Sequence, residues 1–383
     1  MPPPPVTRRT ALALLATAAG SLPFVASGAL ASTPRANPTR FYLGSVQYDI
    51  GVASADPTSG TLSVDALVPG TRSSFLAVSP SAEALYSVNG DDGGRLEAFA
   101  LDADGAVQGE LGSTSGLGDG PCHVSVHPAG GHAFSANYND GTVTVVALAP
   151  DGAPGEITQV VRHEGSGPGP DRQEGPHAHQ VLPDPGGERL FAVDLGTDSV
   201  FVYAFDAEAG QLAQEHEAKL PPGSGPRHMA FHPGGVTAYV LGELDSTLTA
   251  CGYDSGTGAL TPGAVVPLLP DGTPPDGNSA AEVLVTSDGR FVYASNRGHD
   301  SIVVFAVDGE DEAEPRLVGH FDSGGATPRH ISLDADESHL YVANQSTGAV
   351  VVLDRDPDDG TLAPTGAALD FPGVECVLPA VTA

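Results

Sequence analysis

Three short triplets place an imidazole two residues after a proline: Pro121-Cys122-His123, Pro226-Arg227-His228 and Pro328-Arg329-His330. Two further segments vary the theme, Pro176-His177-Ala178-His179 and Ser279-Ala280-Ala281-Glu282. Thirteen to fifteen residues after each His or Glu comes a second polar group, in the series Asn137, Asp194, Glu243, Asn296 with Arg297, and Asn344. Imidazole titrates near neutral pH and can carry protons in a reaction. Guanidinium offers a planar fork for a carboxylate, a phosphate or a developing oxyanion. Such a mixture suits the opening of a reactive ester by water.

The arginines gain weight from their scarcity. The chain has 16 basic residues against 48 acidic ones, a net charge of −32. Only Lys219 among the basic residues is a lysine, yet Arg227, Arg297 and Arg329 all fall at the repeated positions. Arg172 lies in the segment leading into the His177 unit. A chain this acidic that gathers guanidinium in one phase of a repeat is expected to bind an anion there. His179, Arg227, Glu243 and Arg297 combine a base, an acid and two anion-binding groups, and are the expected catalytic set. Arg172, His177, His228, Glu282, Arg329 and His330 are expected around them as substrate-binding groups. His123 and His330 also suit ties between neighbouring elements, and Asn137, Asp194 and Asn344 suit strand ends or bonds to adjacent loops.

Other chemistries find no support. The chain has no GxSxG elbow, P-loop or HExxH helix motif, and no EF-hand-like loop. Cys122, Cys251 and Cys376 lie far apart without metal-ligand spacing and are expected as three buried free thiols. His177-x-His179 alone is weak ground for a metal, so neither a metal nor another cofactor is expected. The acidity excludes non-specific binding to nucleic acid.

The elements that must position these residues are short strands. The five units begin near residues 121, 176, 226, 279 and 328, about 50 residues apart, and two weaker ones precede them at 41–66 and 75–103. Within each unit, alternating apolar runs are separated by Gly, Pro, Asp and Asn turns. Asp56 to Leu62 and Asp356 to Leu362 share an Asp-Pro-x-x-Gly-x-Leu turn expected between outer strands. Repeats of this length, built of several short strands without helical periodicity, predict an all-β fold, a seven-bladed β-propeller with four-stranded blades. The segment from about Leu369 to Leu378 is expected to close the ring by completing the first blade. In that fold, polar residues at one phase of every blade converge on a central funnel.

The N-terminus reads differently. Thr7-Arg8-Arg9-Thr10 opens a mildly apolar stretch that ends in Ala29-Leu30-Ala31. Residues 1–31 are therefore expected to be a twin-arginine-type export signal, with 32–40 a linker and 41–383 the propeller. No later segment approaches a membrane span. The mature chain is expected outside the cytoplasm, in the periplasm, cell wall or medium, with a monomer as the default state.

Gly165-Ser166-Gly167-Pro168, Arg172 through His179, Gly225-Pro226-Arg227-His228 with Phe231-His232-Pro233, Glu243-Leu244-Asp245-Ser246 and Ser295 through Asp300 resemble the signature of the lactonase-type seven-bladed propellers. The resemblance spans about residues 41–380. That family includes bacterial 6-phosphogluconolactonases and fungal carboxymuconate cyclases. The cyclases' proposed set of one His, two Arg and one Glu matches His179, Arg227, Arg297 and Glu243. The family's usual Gly/Ser/Thr-rich first-blade loop is replaced by Ser45 through Ile50. An export signal also departs from the cytosolic phosphogluconolactonases.

The resemblance implies a lactonase that hydrolyses a small anionic or sugar-derived lactone, and the N-terminal signal adds the expectation of export. His179 or Glu243 would activate water, with Arg227 and Arg297 on the oxyanion. A non-catalytic binding propeller and a cyclase-like lactonizing enzyme are the alternatives.

Overall fold

The structure is a computed structural model and describes Met1 and residues 39–307 and 313–380. The expected export signal and most of the expected linker lie outside the described residues. The remainder forms seven four-stranded antiparallel sheets, each a blade, from strands β1 to β28 in chain order. Only a 3₁₀ turn at Asp91–Gly93 interrupts the all-β character among the described residues.

The innermost strands are β4 (Phe75–Val78), β8 (Pro121–Val126), β12 (Ala178–Pro183), β16 (Pro226–Phe231), β20 (Ser279–Val285), β24 (Pro328–Leu333) and β28 (Val374–Pro379). The last of these pairs with β1 (Thr39–Ser45), so the C-terminal strand supplies the innermost strand of the first blade and closes the ring. The closing strand begins at Val374, later than the sequence suggests, because Leu369 and Asp370 still belong to the outer strand β27 (Leu362–Asp370).

The core lies between blades. Phe41, Leu43 and Ala53 of the first blade pack with Tyr341, Val350 and Val352 of the seventh. Phe191, Val200 and Val202 of the fourth pack with Met229, Val240 and Cys251 of the fifth. A blade is thus apolar on both faces in its middle strands, whereas its outermost strand alternates buried and exposed residues, as β19 (Leu260–Pro267) does.

The tyrosines of these inter-blade layers reach one blade further. Tyr42, Tyr86, Tyr293 and Tyr341 donate hydroxyl hydrogens to the carbonyls of Gly105, Gly152, Gly360 and Gly60 at 2.7, 2.9, 2.8 and 3.1 Å. Each acceptor is the turn glycine of the next blade's outer hairpin, and Tyr341 to Gly60 carries the series across the closure. A buried tyrosine needs such a partner for its polar tip. Gly360 has φ +76°, and a Cβ there would fall 2.4 Å from the Phe291 ring, so the turn requires glycine twice over.

A second tie recurs nearer the axis. Asn137, Asn296 and Asn344 each donate a side-chain hydrogen at 2.9 Å to a carbonyl of the segment entering their own blade, at Leu117, Leu268 and Ser323. Asp194 does the same work through His163 Nδ1 at 2.6 Å. The strand-end amides thus bond neighbouring loops.

Candidate active site

One irregularity positions the site. In six blades the innermost strand shifts register against its neighbour near its start, at Cys122, His179, Arg227, Ala281–Glu282, Arg329 and Glu375. Each shift accommodates one extra residue, a β-bulge, which leaves the ladder and re-aims its side chain. Three of the extra residues, Cys122, His179 and Arg329, line a cavity of about 340 Å³. Three more lining residues, Tyr138, Glu243 and Arg297, each follow the strand-end position of the second strand, at Asn137, Gly242 and Asn296. Arg172 completes the wall from the long loop entering the fourth blade. That loop is anchored by buried Gln173, whose side-chain amide donates to Leu195 O at 2.8 Å and to Asp198 Oδ1 at 2.7 Å.

The register corrects the sequence alignment in the fourth blade. Ala178 pairs with Asp194 as Pro226 pairs with Gly242, so His179 corresponds to Arg227 and Arg329, and Gln180 to His228 and His330. The doubled histidine of His177-x-His179 hid a frame shifted by one residue.

Glu243 is the electrostatic centre. Its Oε1 accepts from Arg172 Nη2 at 2.8 Å, while Oε2 faces Arg297 Nη2 at 3.0 Å and Arg227 Nε at 3.2 Å. Burial would raise its pKa, but Arg297, Arg227 and Arg172 outweigh burial and hold the carboxyl below its ordinary range. Glu243 is therefore a fixed carboxylate and a weak base. Burial presses Arg227 and Arg297 below the ordinary guanidinium range, with neighbouring arginines adding to the effect. Both remain cations, because guanidinium is not deprotonated in proteins.

His179 behaves oppositely. Burial first, then Arg227, His228, Arg329 and Arg297, hold its pKa well below the ordinary value. The ring is a neutral imidazole at neutral pH, and its buried Nδ1 has no hydrogen-bond partner among the described residues. It stands edge-on to Tyr138 and His228, with ring centroids 5.6 and 5.2 Å away.

The expected residues separate into two groups. His179, Glu243, Arg297, Arg172 and Arg329 meet in the cavity. Arg227 lies behind Glu243, only 3% exposed, and also donates to Ala281 O, so it positions the carboxylate rather than lining the cavity. His228, Glu282 and His330 are absent from the wall. They form a buried inner cluster with His123 around Phe75, whose ring lies 4.3, 5.4 and 6.0 Å from His123, His330 and His228. His228 Nδ1 and Glu282 Oε1 are 2.8 Å apart, and burial drives both groups toward their uncharged forms. His177 also lies outside the wall: it stacks on Tyr138 at 4.5 Å, and its Nδ1 bonds Tyr138 O at 2.8 Å.

Two wall residues escaped the sequence reading. Tyr138 follows Asn137 as Arg297 follows Asn296, and Cys122 occupies the Arg227 place in its triplet. Both signals were positional, and neither residue type drew attention. The three cysteines are free, but Cys122 is only partly buried because its bulge turns it to the cavity. Burial raises its thiol pKa to about 12, so it is not a nucleophile at neutral pH. Among the described residues no cluster of His, Cys, Asp and Glu is arranged for a metal ion, and no helix is long and apolar enough to cross a membrane.

Comparison with known proteins agrees with this architecture. Residues 40–379 match the family model described as lactonase, seven-bladed β-propeller. A 6-phosphogluconolactonase of Bacillus subtilis is 35% identical over 301 residues, covering 78% of this chain and 85% of the relative. One from Formosa agariphila is 30% identical, with 78% and 85% covered. Among solved structures, a periplasmic gluconolactonase of Pseudomonas aeruginosa superposes with a TM-score of 0.83 at 29% identity, covering 90% of this chain and 99% of its own. The chain therefore belongs to the lactonase family of seven-bladed β-propellers, and its enzymatic class is that of a lactonase resembling the 6-phosphogluconolactonases.

Proposed function

We propose that this chain is an exported enzyme that hydrolyses a sugar-derived or sugar-acid lactone in the cavity at the propeller axis. One observation carries the assignment. A neutral, partnerless imidazole (His179) and a guanidinium (Arg297) open onto the same cavity, beside a carboxylate that three arginines hold ionised.

In this reading His179 takes a proton from water as the water oxygen attacks the lactone carbonyl. Glu243 is excluded from that role because Arg172, Arg227 and Arg297 occupy both its oxygens. The carbonyl oxygen becomes an oxyanion facing Arg297, whose position is fixed by hydrogen bonds to Ser279 O and Ala280 O at 3.2 and 3.0 Å. The ring C–O bond then breaks, and the proton returns from His179 to the departing alkoxide. The product is an open-chain hydroxy acid, which ionises and releases one proton to solvent. Arg227, beneath Glu243, keeps the carboxylate in place. Export is supported by the Arg8-Arg9 segment and its Ala29-Leu30-Ala31 ending, and by the periplasmic description of a structural neighbour.

The test is pH-stat hydrolysis of 6-phosphoglucono-δ-lactone and glucono-δ-lactone beside the Arg297→Ala variant. Both lactones open spontaneously, so only the rate above buffer and variant counts. Turnover lost by about a hundredfold or more in the variant is expected for an oxyanion donor. A folded wild-type protein with no rate above background would overturn the reading and favour a binding propeller.

A further inference from the structure

The four cavity-facing or cavity-bordering guanidinium groups are not equivalent. Arg172, Arg227 and Arg297 all converge on the single carboxylate of Glu243. Arg329 does not. It comes from the bulge of β24, on the side of the cavity formed by the seventh and first blades. Its one ionic contact among the described residues is through Nε, to Glu375 Oε2 at a loose 3.5 Å. Glu375 is itself engaged elsewhere, since Gln345 Nε2 donates to its other oxygen. No hydrogen bond of Arg329's two terminal amino groups is seen among the described residues, and its side chain is 22% exposed, enough to meet a ligand. A guanidinium presents five donors in a planar fork. Here one edge is loosely occupied, and the residue lines the cavity.

The geometry points to Arg329 as the residue that selects lactones bearing a second oxyanion, a phosphate ester or a carboxylate, at the end of the substrate away from the reacting carbonyl. This rests on the lactonase reading and adds what that reading leaves open, the group that distinguishes one lactone from another. His179 and Arg297 handle the ester carbonyl. From the blade next to Arg297's, the fork of Arg329 can take two oxygens of a tetrahedral or planar anion. The negative surface as a whole repels such a ligand, so its affinity must come from contacts inside the cavity. Glu375 competes with the ligand for Arg329, which sets the preference at a moderate level.

The experiment uses the full chain and three open-chain acids that differ at one end only: gluconate, glucarate and 6-phosphogluconate. Calorimetry gives their affinities, and the pH-stat gives kcat/KM for the matching lactones. Wild type is expected to bind at least one of the two more highly charged acids about ten- to a hundredfold more tightly than gluconate, the worth of a charge-assisted hydrogen bond or two. Glucarate and 6-phosphogluconate separate the carboxylate from the phosphate as the preferred group. Arg329→Gln is expected to erase the preference, and Glu375→Gln to raise it severalfold by removing the competing carboxylate. A change in general packing would not move the two variants in opposite directions. Arg290→Gln, in the turn at the opposite end of Arg297's strand, keeps the wild-type ratio and serves as control.

Equal wild-type affinities for all three acids, or a preference that survives in Arg329→Gln, would overturn the assignment. A Glu375→Gln preference that stays level or falls would overturn the role given to Glu375. The binding arm does not depend on turnover. If the preference appears and vanishes as stated but no lactone is hydrolysed, the anion site stands and the lactonase reading falls. If lactones are hydrolysed without any preference, the reverse holds.

Discussion

Neighbouring residues of the same strands serve two different regions. At Cys122–His123, Arg227–His228 and Arg329–His330, the first residue is thrown out of the ladder by a bulge and the second returns to it. The bulged side chains Cys122, Arg329 and, in the fourth blade, His179 line the cavity. The following residues His123, His228 and His330 turn into the buried cluster around Phe75. The cavity wall holds one imidazole and the inner cluster three, and burial lowers the pKa in each. What separates them is access. An imidazole that lines a cavity is a reagent, whereas one packed against Phe75 behind the wall is a building part. Residue type therefore does not identify the site; three of the six bulge positions, Cys122, His179 and Arg329, bring their side chains to it.

The comparison is tested most severely by exchanging function between the two regions. His179→Gln is expected to lower kcat on an active lactone by about 10²–10⁴, the usual worth of a general base, with little loss of stability. Glu282→Leu should do the opposite. It leaves His228 Nδ1 buried without its partner and is expected to cost about 1–3 kcal/mol of stability in urea unfolding. Activity per folded molecule should fall far less than in His179→Gln. If Glu282→Leu matched the catalytic loss of His179→Gln at full stability, the inner cluster would belong to the reaction and the division would fail.

Acid titration reads the same division from another side. Burial first of all keeps His123 and His228 well below the ordinary imidazole value and takes His330 down to about 4. Below pH ~6.5 the unfolded chain binds protons at these residues that the folded one does not. Their stabilisation is thus complete above pH ~6.5 and declines as the pH falls toward the folded values, by about 1.4 kcal/mol per pH unit for each ring. His123→Gln should flatten that slope in urea titrations between pH 6 and 4.5. Because His179 is also held neutral, kcat/KM should persist down to pH 6 and fall only at lower pH. A wild-type acid limb centred at or above pH 6.5 would contradict the depressed imidazole.

These contrasts also explain how much was legible beforehand. The repeat, the blade count and the closing strand were all readable, because turn residues and alternating apolar runs are written in the sequence at a fixed period. His179, Glu243, Arg297, Arg172 and Arg329 were found, since charge on an acidic chain is conspicuous. The partition between cavity and interior was not readable. A bulge adds one residue without a composition signal of its own, so Arg227 and His228 looked equally placed for substrate. Gln180 was invisible beside His179 for the same reason. Tyr138 needed the frame of Asn296–Arg297 to be applied to Asn137, a step that uncharged side chains did not prompt.

The smallest expected effect concerns the boundary between the cavity and solvent. Arg172 bridges Tyr138 Oη, at 3.1 Å from Nε and 3.0 Å from Nη2, and Glu243 Oε1 at 2.8 Å, yet its side chain is 44% exposed. An ion pair with one partner this open contributes about 0.2–1 kcal/mol, well below what the buried Arg227 contact should be worth. Arg172→Ala leaves Glu243 held by Arg227 and Arg297, so the carboxylate stays ionised and the oxyanion contact at Arg297 survives. The expected result is a rise in KM of a few fold with kcat nearly kept, measured on the lactone that wild type turns over best. Loss of kcat comparable to that in Arg297→Ala would mean that Arg172 holds the reacting carbonyl itself, and the chemistry would then lie nearer the mouth than the bulges place it.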